Sequence, residues 1–166
     1  HSGAETSRPK TSGFGLDRNR NDRSNIQQDR GFQMGAEQNK ALVEKFFGHF
    51  DRFEMDEALA MLKDDATWRI MGTPEIFPFA AVHTKAGMAN IWATLGQFMP
   101  NGMETKICGM IAEGNHVSVE LVSHGTAADG RIYNNHYHDV FVIEDGAIVE
   151  VREYFDTQHV ADMFLR

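Results

Sequence analysis

The sequence predicts an α+β fold in which helices pack on one face of a curved, mostly antiparallel sheet. Two observations lead there. Apolar residues recur at helical spacing through the first half of the folded region, then alternate with period two through the second half. The stretch from Gly130 to Asp156, GRIYNNHYHDVFVIEDGAIVEVREYFD, reads as two long antiparallel strands joined at an Asp-Gly step.

From Gly35 to about Phe53, the residues Leu42, Val43, Phe46, Phe47 and Phe50 form a helical stripe. A shorter helix is expected at about 54–62, followed by a strand, DDATWRIM, with Trp68 and Ile70 on one side. Pro74 and Pro78 mark the stretch from Gly72 to Val82 as a loop. Thr84 is placed to cap a third helix carrying Met88, Ile91, Trp92, Leu95, Phe98 and Met99, which Pro100-Asn101-Gly102 ends. Strands at about 103–112 and 116–126 precede the long hairpin, and a short helix is expected at 157–164.

The chain has 166 residues and a net charge of −8, which argues against a nucleic-acid partner. No apolar run is long enough for a membrane span, and no signal-peptide pattern opens the chain. The single cysteine, Cys108, excludes an internal disulfide and fits a reducing, cytoplasmic setting. No metal-ligand spacing is present; His136 and His138 lack a third ligand, and neither metal nor cofactor is expected. Residues 1–33 hold six Lys or Arg against four Asp or Glu, about +2, leaving about −10 for the remainder. With only Ala4, Phe14, Leu16, Ile26 and Phe32 to bury, that segment reads as a disordered leader of the kind cloning appends. A functional basic arm is the sharper alternative. Met34 is the expected native start, and 34–166 the folded domain.

Within the hairpin, Tyr133, Asn135, Tyr137, Asp139, Phe141 and Ile143 share one face of the first arm, and Val149, Val151, Glu153 and Phe155 share one face of the second. Each apolar set carries one carboxylate. A three-residue turn, Glu144-Asp145-Gly146 with Gly146 left-handed, would bring both sets to the same face. It would set Tyr137 opposite Glu153, with Asp139 one same-face step along. Asp139, among Tyr137, Phe141 and Phe155, would have its pKa raised by desolvation and could donate a proton; the plainer reading is a structural carboxylate. Glu153 would act as base or share a proton with Asp139, unless it pairs with an arginine. Tyr137 is a candidate phenolic donor. His83, in the loop before the third helix, is a candidate proton carrier or a solvated loop residue. Phe46, Phe50, Trp68, Ile70, Tyr133, Asn135, Phe141 and Phe155 are the candidate ligand-lining residues, which implies an apolar ligand.

DDATW after two helices, the Gly-containing loop before the third, G-R-x-Y-x-N-x-Y-x-x-x-F from Gly130 and D-G-x-I-x-x-x-x-E-Y-F-D-T from Asp145 together carry a resemblance. Over about 37–165 the chain resembles a SnoaL-like, polyketide-cyclase-type domain of the nuclear-transport-factor-2-like superfamily, close to the ketosteroid-isomerase-related proteins. The resemblance implies a cone-shaped α+β barrel around a pocket, and commonly a homodimer. Asp139 matches the oxyanion-hole Asp of ketosteroid isomerase, whereas Phe46 and Ile70 stand where that enzyme has its Tyr and its base. The run Arg152-Glu153-Tyr154-Phe155-Asp156 is similar to the last strand of limonene epoxide hydrolase, whose catalytic carboxylate there matches Glu153. Trp68 and Ile70 replace its Tyr and Asn, and its Arg-x-Asp pair has no counterpart in VSVELVS. The expectation is a small cofactor-independent acid-base enzyme of isomerase, cyclase, dehydratase or hydrolase type, acting on an apolar ring-containing, polyketide- or terpenoid-like molecule. A non-catalytic ligand-binding or dimerisation module of the same fold is the alternative.

Overall fold

A computed structural model describes residues 35–165. The expected leader at 1–33 and the start at Met34 lie outside the described residues. The elements are α1 (Ala36–Asp51), α2 (Met55–Ala60), β1 (Leu62–Ile70), β2 (Val82–Thr84), α3 (Lys85–Phe98), β3 (Met103–Glu113), β4 (His116–Thr126), β5 (Ile132–Glu144), β6 (Ala147–Phe155) and α4 (Thr157–Phe164).

Helix ends fall where local chemistry puts them. Gln38 Oε1 accepts from the Gly35 N–H at the start of α1, Thr84 Oγ1 accepts from the Gly87 N–H on α3, and Asp156 Oδ1 accepts from the His159 N–H on α4. The α1 stripe buries Val43, Phe46 and Phe47. Phe46 is the centre of an aromatic core, its ring within 6.2 Å of those of Phe47, Phe50, Trp68, Trp92 and Phe141.

The six strands form one sheet in the order β2-β1-β6-β5-β4-β3. β3, β4, β5 and β6 run as an antiparallel meander, as the alternation implies. Two features escaped sequence reading. The end of the proline-containing loop forms β2, three residues paired with the outer edge of β1, and β1 pairs parallel with β6. The parallel pair joins the first and last strands of the meander-plus-helix unit, a contact set by chain return and not by any local pattern.

The hairpin differs from expectation in its turn. Asp145 and Gly146 both have positive φ, 52° and 78°, so the turn has two residues and the primed geometry that matches strand twist. Ile143 pairs with Ile148 but Val142 pairs with Glu150, leaving Val149 as an extra, bulged residue. The bulge restores the parity that a two-residue turn would have spoiled. Ile148 is therefore fully buried in place of Val149, and Asp139, Phe141, Val151 and Glu153 still reach one face.

Candidate functional site

Between the concave sheet face, α3 and α4 lies a cavity of about 400 Å³. Its α3 wall is Met88, Ile91, Trp92, Leu95 and Phe98, with the polar Asn90 and Thr94 beside them; α4 contributes Val160 and Phe164, and the β1–β2 loop contributes Phe77 and Phe79. Ile70, Phe155, Tyr133, Tyr137 and Glu153 form the sheet side. The ionisable groups on this wall are thus one carboxyl and two phenols, in a volume fit for a ligand of two or three fused rings.

Glu153 comes to the wall because β6 alternates and its neighbours Val151 and Phe155 are apolar. Its Oε2 accepts a hydrogen bond from Trp68 Nε1 at 2.8 Å, a donor supplied by β1 through the parallel pairing. Burial raises the Glu153 carboxyl to about 7, against the opposing pull of the Trp68 bond. Asp139 lies directly across the ladder from Glu153, and Tyr137 lies across from Phe155. This corrects the expected register by one pair, for the reason that the turn has two residues and the strand a bulge. Asp139 is only 2% exposed and stands behind the cavity wall, not on it. Burial first, then the Glu153 charge, push its pKa well up, against one hydrogen bond from the Tyr154 backbone. Its Oδ1 has no partner among the described residues. Neither carboxyl forms an ion pair there; Arg152 turns to the outer face and approaches Glu150 at 3.4 Å. Two buried carboxyls this close do not ionise together, so near neutrality the pair holds a proton.

Tyr137 does line the cavity, and its hydroxyl is hydrogen-bonded to that of Tyr133. Burial raises both phenols, Tyr133 to about 12. Asn135 is 1% exposed and lies behind the wall, bonded to Tyr133 Oη and to the Asp156 backbone. Of the remaining candidates, Ile70 and Phe155 are on the wall, whereas Phe46, Phe141 and Trp68 are core residues. Trp68 nevertheless touches the site through its indole N–H. Phe50 faces a smaller hollow of about 80 Å³ beside Met99 and Met103, which shares Trp92 and Leu95 with the larger cavity. His83 is not on the wall either. It is half-buried on β2, and its Nε2 meets the Phe79 carbonyl at 2.9 Å, tying down the loop that supplies Phe77 and Phe79.

Sequence reading missed the helical half of the wall. The α3 residues were legible as an apolar stripe, but a stripe facing a cavity and one facing a packed core have the same period. Phe164 and Val160 had only a short terminal helix to announce them. Among the described residues no helix is long and apolar enough to cross a membrane, and no three His, Cys, Asp or Glu side chains cluster to hold a metal.

Solved structures share this architecture. An NTF2-like protein of unknown function from Burkholderia pseudomallei superposes with a TM-score of 0.68 at 19% identity, covering 80% of this chain and 100% of that one. IdmH of Streptomyces antibioticus, a proposed polyketide cyclase, gives 0.64 at 18% identity, with 78% and 99% covered. AclR of Streptomyces galilaeus, a proposed hydroxylase, gives 0.66 at 13%, with 77% and 85% covered. Identities this low speak for the fold alone. No curated protein sequence matches the chain. The model of the SnoaL-like domain matches residues 43–151, from α1 through the β6 ladder that carries the carboxyl pair. The chain belongs to the SnoaL-like domain family.

Proposed function

We propose that the protein is an acid-base enzyme acting on a neutral, apolar ring compound bound between α3 and the sheet, with Glu153 as the proton-transfer group. The observation that carries this reading is the placement of Glu153: a carboxyl on the wall of an apolar cavity, raised towards neutrality, with Trp68 fixing one oxygen and Asp139 sealed behind it. As a carboxylate, Glu153 takes a proton from a carbon beside a ring ketone. The C–H bond breaks, its electron pair enters the C–C bond, and the carbonyl π pair moves onto oxygen. Glu153, now the acid, returns the proton at another carbon, or a leaving group departs from the enolate. Isomerisation, cyclisation and dehydration all share this first step. The relatives named above include a proposed polyketide cyclase, which is consistent with such substrates.

The step can be tested before the natural substrate is known. Exchange of the α-hydrogens of 2-tetralone for deuterium in heavy water, followed by proton NMR, reads proton abstraction directly. The wild-type chain should accelerate exchange over buffer, and Glu153→Gln should lose about 100-fold of that acceleration. A wild-type rate equal to buffer, with the ketone bound, would sink the catalytic reading. It would leave a ligand-binding module, the reading favoured by the sealed position of Asp139.

A further inference from the structure

Asn135 spends every hydrogen-bonding capacity it has. Its Oδ1 accepts from the backbone N–H of His136 at 2.8 Å and of Asp156 at 3.1 Å. Its Nδ2 donates to the Asp156 carbonyl at 3.2 Å and to Tyr133 Oη at 3.1 Å. Two backbone N–H groups can be met only by the amide oxygen, so the amide has one orientation and presents only a donor to Tyr133. The Tyr133 and Tyr137 hydroxyls bond to each other, and among the described residues neither bonds to Glu153 or Asp139. The count follows. The pair owns two phenolic hydrogens, one lies between the two oxygens, and Asn135 accepts none. One is left, and both phenols are on the cavity wall.

We propose that Asn135 is a positioning residue that keeps one hydroxyl hydrogen of the Tyr133–Tyr137 pair free for the cavity, so that the site selects ring compounds bearing a hydrogen-bond-accepting oxygen, a ketone or the enolate made from it, over hydrocarbons of the same shape. This rests on the cavity being the substrate site, and it adds what Glu153 alone does not supply: a donor for the oxygen on which charge collects. The same amide holds both the N–H and the carbonyl of Asp156, the residue that caps α4. Selection of the oxygen and seating of the helix that brings Val160 and Phe164 to the wall thus share one side chain.

The probe pair is 2-acetylnaphthalene and its hydrocarbon isostere 2-isopropylnaphthalene, with dissociation constants read from tryptophan fluorescence and the ketone carbonyl stretch from infrared difference spectra. The wild type should prefer the ketone by about tenfold and shift its carbonyl stretch to lower frequency than in hexane. In Asn135→Asp the new carboxylate accepts from Tyr133, which then accepts from Tyr137, and no hydrogen is left. The preference and the frequency shift should vanish while hydrocarbon binding persists. Should Asn135→Asp fail to fold, the phenols carry the test. Tyr133→Phe and Tyr137→Phe alone each keep one free hydrogen and most of the preference, and the double variant loses it. A preference that survives in Asn135→Asp or in the double variant overturns the proposal, as does a wild type that binds both probes equally. If neither probe binds the wild type, the cavity reading falls along with it.

Discussion

Asp139 and Glu153 stand directly opposite each other on β5 and β6, and among the described residues no cation pairs with either. They differ in what they face. Glu153 meets the cavity and the Trp68 indole, whereas Asp139 meets the Tyr154 backbone and the interior. Two like groups in one ladder rung thereby meet different surroundings, and burial favours the protonated form of both.

Burial holds both carboxyls above their ordinary range, so the folded chain retains protons that the unfolded chain has released. Stability is full below the unfolded carboxylate range and is lost as pH rises through the folded midpoint of Glu153, about 7. The displacement from 4.5 to about 7 is worth at most about 3 kcal/mol. Thermal melts between about pH 5 and 8 should show Tm falling with pH, and Glu153→Gln should flatten the slope and raise Tm at the alkaline end. A Tm that climbs over this range in the wild type would contradict the assignment.

The Trp68 indole N–H stabilises a charge on Glu153 at the cavity wall, whereas Asp139 is sealed in with Oδ1 unpartnered among the described residues, so Glu153 ionises first. Replacing a neutral Asp139 by Asn then changes little for its partner. Carboxyl carbon-13 NMR should find the Glu153 midpoint in Asp139→Asn within about half a unit of wild type. In Glu153→Gln, Asp139 should titrate at lower pH than in the wild type. A Glu153 midpoint that drops to the ordinary glutamate value in Asp139→Asn would reverse the order of ionisation.

The Trp68 bond stabilises the charged form of Glu153. Trp68→Phe keeps an aromatic ring in the core and deletes that donor. The Glu153 midpoint should rise by about one unit, and the rising limb of the exchange rate against pH should move with it. An unmoved limb would mean that Glu153 is not the group whose ionisation starts the reaction.

Gly146 sits at φ 78° in the turn that sets the register of the carboxyl pair. Gly146→Ala should cost about 1–2 kcal/mol in urea unfolding, with an unchanged m-value, because a Cβ is strained in that conformation. A neutral effect would argue that the turn relaxes to another geometry and the register with it.

Much of this could be seen in the chain itself. Alternation placed Tyr133, Tyr137, Asp139 and Glu153 on one buried face, since a strand offers two faces and only one was apolar. Thr84 capped α3 and Asp-Gly made the turn for reasons contained within a few residues. The tertiary structure decided what depends on distant partners. A turn of two residues together with one bulged residue, Val149, moved Glu153 from Tyr137 to Asp139. The parallel return of β6 beside β1 delivered Trp68 to Glu153. Whether an aromatic residue became core, as Phe46 and Phe141 did, or cavity wall, as Phe98 and Phe164 did, followed from how helices and sheet diverge around the ladder. Periodicity says which side of an element is apolar; only packing in three dimensions says whether that side meets another residue or a space.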